Sequence, residues 1–253
     1  MDPALLLLAD GRFPAGGHAN SAGTESAITH GLVTDVPTLE SFLRARLATT
    51  GAVDAAFAAT AVVSTSSTTL DTSGTTNQVV ELVEPTNQVV EVVETTNQVV
   101  ELVETTGATD TVTTGSTLDT LNAEYDARLA SPRARLVSRQ MGRQLLRAAH
   151  AVWPRCPTGN HHQPIALGLA CAAAGGTPHD AAALALHHLA SAICTAAVRM
   201  IGLDPLSVAA VQARAVAAID RYHEPGTLPA LTITLTEILA EDHGQWDARL
   251  FVA

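Results

Sequence analysis

The chain has 253 residues, 47% of them apolar, with a formal net charge of −11 and a mean hydropathy of +0.20. That is enough apolar side chain for one sizeable core or two small ones. All fourteen positive residues are arginine, so neither a Walker-type phosphate loop nor a Schiff-base site can be built, and an acidic chain argues against a duplex-binding face.

At the N-terminus, MDPALLLLADGR carries an acid where a secretory signal needs basic residues, and only a four-leucine run. No run of 18 apolar residues occurs anywhere, so the sequence predicts no membrane span and a cytoplasmic protein. The next stretch, ADGRFPAGGHANSAGTESA over residues 9–27, is rich in glycine. It lacks the GxGxxG order and follows no strand, which removes the phosphate-loop reading. What remains is a helix-entry turn or a backbone surface offered to another protein.

A helical pattern then takes over. Asp35 and Pro37 predict a helix start, with Leu39, Phe42, Leu43 and Leu47 on one face. Val53, Phe57 and Ala61 continue at helical spacing after Gly51.

From Ser64 to Thr117 the composition changes to Thr, Ser, Gly, Val and Glu. NQVVELVEPT, NQVVEVVETT and NQVVELVETT occupy residues 77–86, 87–96 and 97–106 as a ten-residue repeat. The stretch holds eight acids and no arginine, so it supplies eight of the eleven net negative charges. Ten residues advance a helix by 80° less than three turns, so an apolar stripe would walk around it, and VVELVE does not alternate as a half-buried strand would. Disorder or a loose excursion is expected, with short strands or a helix as the alternatives, in an expansion tolerated on a loop. The domain is therefore read as residues 1–62 and 118–253, with 63–117 inserted.

Helices resume afterwards. Val137, Met141, Leu145 and Val152 form a stripe that ends before Pro154. Thr177, Pro178 and Asp180 supply an N-cap, a first-turn proline and an acid at N3. The helix behind them, to about Gly202, is apolar on nearly every side and should sit centrally. Asp204 and Pro205 open another. LTITLTEIL, residues 231–239, alternates like a strand, but a lone strand has no partner in a helical domain, so a helix or an extended tail is expected. The fold class is all-α: a single-domain helical bundle with a low-complexity acidic insertion.

Chemistry is sparse. Cys156, Cys171 and Cys194 form no CxxC pair and read as buried thiols. There is no GxSxG, HExxH or paired i, i+4 histidine set. His187 and His188 read as core or interface residues, and His179 as an exposed first-turn residue. The one alternative that would make the chain an enzyme or a metal-binding protein uses His18, His161 and His162.

Five stretches in order resemble one family. LLLLADGRFPAGGHANSAGTESAITHGLVTD, SRQMGRQLLR, HQPIALGLACAAAGGTP, AAVRMIGLDPL and HGQWDARLF are similar to successive motifs of the urease accessory protein UreF family. The likeness covers residues 4–62 and 118–253; the repeat has no counterpart. It implies an all-helical, usually dimeric protein without catalytic activity or a cofactor of its own. Such a protein binds the UreD/UreH-type accessory protein, recruits or regulates the nickel-carrying GTPase UreG, which holds the nickel and the GTP, and acts on apo-urease. No nucleic-acid or membrane partner is implied. Pro14, Gly16, Gly17, Ser21, Gly23 and Glu25 match the first motif, with His18 and Asn20 standing where many members carry aromatic residues. Arg249, Leu250 and Phe251 match the terminal one. The two motifs are implied to lie close together and to shape the surface that recruits the GTPase. A tyrosine-to-tail hydrogen bond of other members cannot be carried over here; Asn20, with a shorter reach, is the candidate to replace it. His243–Gly244 departs from the family's His-Glu.

Overall fold

The structure is a computed structural model; it describes residues 3–11, 13, 20–66, 114–217, 228–230, 234–247 and 250–251. The chain divides into two units, Met1–Thr69 with Thr114–Ala253, and Leu70–Thr113, and every described residue lies in the first. The repeats, and so the expectation about their order, lie outside the described residues.

Among the described residues there are ten α-helices and no strand. They are α1 (Pro3–Ala9), α2 (Thr24–Thr29), α3 (Val36–Arg46), α4 (Ala52–Ser66), α5 (Thr114–Arg128), α6 (Pro132–Val152), α7 (Gln163–Ala173), α8 (Pro178–Ile201), α9 (Pro205–Ala217) and α10 (Thr234–Gly244). The fold is all-α. A π-helical turn, Leu47–Gly51, joins α3 to α4 without a break in the rod. Both α4 and α5 run about a turn past the boundaries expected at 62 and 118.

Local signals set the helix starts. The Asp35 carboxylate accepts the Thr38 N–H at 2.9 Å, and the Thr38 hydroxyl accepts the Asp35 N–H at 3.0 Å, closing a capping box. Thr177 and Asp180 make the same reciprocal pair on α8, with Pro178 at the first helical position. Asp204 accepts the Ser207 N–H at 2.9 Å to open α9. The 231–239 stretch is helical from Thr234 onward, and residues 231–233 lie outside the described set. Its β-branched alternation yields because a helix closes its own backbone hydrogen bonds and an unpaired strand does not.

Two apolar clusters make the core. One gathers α1 and α4–α8 around Phe57, Leu145, Ile165 and Leu167; the other gathers α2–α4, α8 and α9 around Leu39, Leu43, Leu186 and Ile193. Helices α4 and α8 contribute to both. Eleven residues of α8 are buried, which places it centrally as its composition predicts. Val137 and Leu145 of the α6 stripe are buried, but Val152 is 47% exposed; α6 overhangs the core there and Ala149 faces inward instead.

Two helical runs, Val36–Thr65 and Pro178–Ile201, are long and apolar enough by length and composition to cross a membrane, which the count of consecutive apolar residues did not anticipate. Most of each is buried inside the bundle, as expected for core helices.

The α4–α7 crossing is close. A Cβ on Gly168 would sit 2.2 Å from the Ala58 carbonyl oxygen and 2.8 Å from the Ala61 Cβ. Backbone cannot yield to a methyl at that distance. Gly168→Ala should therefore cost on the order of 2–3 kcal/mol, read as a lower midpoint in urea unfolding; an unchanged midpoint would mean the helices can separate freely.

Candidate interaction site

The first motif enters α2 through a tight turn. The Thr24 N–H donates to the Ser21 carbonyl at 3.0 Å, and the two central residues, Ala22 and Gly23, have φ of 52° and 80°. Both central residues of such a turn must be left-handed. Gly23 adopts this without cost, whereas Ala22 is the only non-glycine with positive φ among the described residues. The Asn20 side-chain oxygen accepts the Ala22 N–H at 2.8 Å and holds the turn.

The turn delivers Glu25 into the protein, where only 4% of it stays exposed. Its carboxylate meets three donors from the far end of the chain. The Leu250 N–H donates at 2.9 Å to one oxygen; the Phe251 N–H at 3.0 Å and the His243 Nε2–H at 2.8 Å donate to the other. First and terminal motifs are thus joined through one side chain. The Arg199 guanidinium lies 4.7 Å from the Phe251 ring centroid, and that ring is buried.

Helix α10 brings the tail there. It buries only Leu239 and His243, so polar contacts fix it. The Ser26 hydroxyl donates to the Leu239 carbonyl at 3.3 Å. At the start of α6 the Ser131 N–H donates to Glu237 at 2.8 Å, while the Ser131 hydroxyl and the Arg133 N–H donate to Glu241. Those hydrogen bonds hold the Glu241 carboxyl below its ordinary pKa. Trp246 lies against the His243 ring at 4.7 Å and stacks on His30 at 6.2 Å.

Several expected site residues fall here and several do not. Ser21, Glu25 and Phe251 are buried and act on neighbouring atoms of the same chain; Leu250 is 65% exposed. Asn20 makes no bond to Leu250 or Phe251, the described residues of the tail. Its amide donates to Met141 Sδ at 3.3 Å, and Glu25 makes the connection to Leu250 and Phe251. Pro14, Gly16, Gly17, His18 and Arg249 lie outside the described residues. His243 was not among the candidate site residues; its signal was the histidine of the terminal motif.

Behind the turn lies a cavity of about 220 Å³ bounded by Asn20, Met141, His188, Phe251 and Asp54. Burial raises the Asp54 carboxyl to about 6, against the Tyr125 hydroxyl donating at 2.6 Å and the Arg46 charge. His188 donates to the Leu8 carbonyl at 2.8 Å, and burial pushes it down to about 4.

Of the histidines of the alternative reading, His161 and His162 are engaged elsewhere. Asn122 donates to His161 Nδ1 at 2.8 Å and accepts the His162 N–H at 3.1 Å. Wholly buried His162 donates to Asp126 at 2.9 Å. Burial, then the Arg139 charge, takes His162 down to about 4, with Asp126 opposing. No group of three His, Cys, Asp or Glu able to hold a metal occurs among the described residues. The three cysteines are free and buried, and burial raises their thiols to about 11, 12 and 11 for Cys156, Cys171 and Cys194.

Two outcomes test these assignments. Glu25→Gln keeps the shape and removes the charge, so the Leu250 and Phe251 amides should exchange with solvent about tenfold faster or more, while amides inside α8 do not change; equal protection at the tail would refute the clamp. His162 and His188 are neutral in the fold down to about pH 4 but protonate near 6.5 when unfolded. The unfolded state therefore binds more protons in that window, and stability falls as pH drops through it, by up to about 1.4 kcal/mol per pH unit for each histidine. Asp54 opposes this between about 6 and its ordinary 3.8. His188→Gln should flatten the slope by about one histidine's share, measured by urea unfolding between pH 6 and 4.5.

Comparison with known proteins gives these motifs a family. A model of the UreF family matches residues 33–216. A urease accessory protein UreF from Mycobacterium sp. strain JLS is 31% identical, over 98% of this chain and 97% of its own. The urease accessory protein UreF of Mycobacterium marinum is 30% identical with the same coverage, and that of Mycobacterium tuberculosis strain H37Ra is 28% identical. With the match spanning well over half the chain and the fold all-helical, this chain belongs to the UreF family of urease accessory proteins.

Proposed function

We propose that the chain works in urease maturation as a scaffold with no catalytic step of its own. It binds a UreD/UreH-type partner and presents a composite surface, the 20–25 turn with the 249–251 tail, to the nickel-carrying GTPase UreG. That assembly serves apo-urease in the cytoplasm, and the chain is a homodimer within it. Nickel and GTP stay with the GTPase. The inserted 63–117 segment is peripheral to this work.

One observation supports the reading above the rest: Glu25 ties the tail backbone to the N-terminal turn and leaves the Leu250 side chain 65% exposed. Backbone held by a buried carboxylate is rigid, and an exposed leucine on that backbone suits a protein contact. The first motif contributes chiefly by positioning, because Ser21 and Glu25 are buried.

Arg249→Ala and Leu250→Ala, each in the reconstituted complex with the UreD/UreH-type partner, should weaken GTPase recruitment by about tenfold with the melting temperature kept. Recruitment unchanged in both variants would refute the tail as the contact. Loss of soluble protein would instead make these residues core anchors.

A further inference from the structure

The charges of this chain are strongly partitioned. Between Ala127 and His179 there is no aspartate or glutamate, yet the stretch holds seven of the fourteen arginines of a chain with net charge −11. Helix α6 and the loop behind it carry six of them. Some are consumed internally. Arg139 pairs with Asp126 at 2.5 Å, and Arg133 lies under α10 beside Gly244. Arg143, Arg147 and Arg155 are different: all three are exposed and none meets a carboxylate among the described residues. Arg143 reaches only the neutral Asn160 side chain, at 2.7 Å.

Arg143 and Arg147 share one outward side of α6, and Arg155 lies in the loop three residues past its end. Arg143 and Arg147 stand one turn apart, roughly 6 Å between Cβ atoms. Exposed Leu136 lies on the same side, two turns before Arg143 and within about 40° of both arginines around the helix axis. Arginines beside an exposed leucine, with no acid on the element, make an interface composition lacking its counter-charge.

The geometry points to this face as a docking surface for an acidic helix of a different protein, with carboxylates one helical turn apart. A second copy does not fit, because two-fold pairing of the face would oppose arginine with arginine. A nucleic acid or anionic membrane fits less well, since three arginines offer few phosphate contacts and the whole chain repels a polyanion. The face is separate from the tail, so the inference stands whether or not the tail recruits the GTPase.

The test uses the full chain and a labelled helical peptide of 20 residues with glutamate at i, i+4 spacing and terminal leucines, followed by fluorescence anisotropy in 150 mM NaCl. Saturable one-to-one binding is expected. Arg143→Gln/Arg147→Gln/Arg155→Gln should weaken it by about tenfold or more without lowering the melting temperature, and the α6 amides around Arg147 should gain exchange protection with peptide. Arg143→Glu/Arg147→Glu should bind the lysine version of the peptide instead. No saturable binding, equal affinity in the triple variant, or tighter binding of duplex DNA or phosphatidylserine vesicles would overturn the proposal.

Discussion

A carboxylate withdrawn from water must be met by donors, and Glu25 is met by three. Two are backbone N–H groups of the tail and one is an imidazole at the end of α10, so both carboxylate oxygens are engaged. Charge-assisted bonds in a dry site are short and directional, and losing a partner there leaves a buried charge uncompensated. The turn at Ala22–Gly23 presents this group, and His243 of α10 and the Leu250–Phe251 backbone converge on it. The site is a consequence of burial before it is anything else.

The bundle around it is held by different physics. Helices α4 and α7 approach closely because alanines and Gly168 line their contact, and α4 and α8 each contribute to both apolar clusters. Helix α10 has no such face. With only Leu239 and His243 buried, it is placed by hydrogen bonds at Ser26, Glu25, Ser131 and Arg133. Apolar packing stabilises without specifying register, whereas hydrogen bonds specify register with modest net stabilisation. A close-packed frame with a polar-docked terminal helix is what that division yields.

Charge is divided along the chain as well. The 64–117 segment contributes eight acids and no arginine, while 127–179 contributes seven arginines and no acid. The net charge of −11 therefore describes no part of the surface well. An acidic chain overall carries a cationic face on α6, and any account of its contacts must be local.

Much of the architecture was legible before any coordinates. Capping residues such as Asp35, Thr177 and Asp204 act on backbone within four positions, and the Leu39–Leu43–Leu47 stripe follows from helical period alone, so local chemistry determined them. The central place of α8 was legible from its composition. Contacts across more than two hundred residues were not. The motif likeness placed Glu25 and the tail near one another, but nothing in the sequence said that Glu25, rather than Asn20, would reach Leu250, because that depends on where α2 and α10 come to rest. Val152 kept helical phase yet left the core for a similar reason: phase is a property of the helix, and burial depends on what stands opposite. Sequence determined which residues could make helices, caps and buried charge; only the packed structure decided which of them meet.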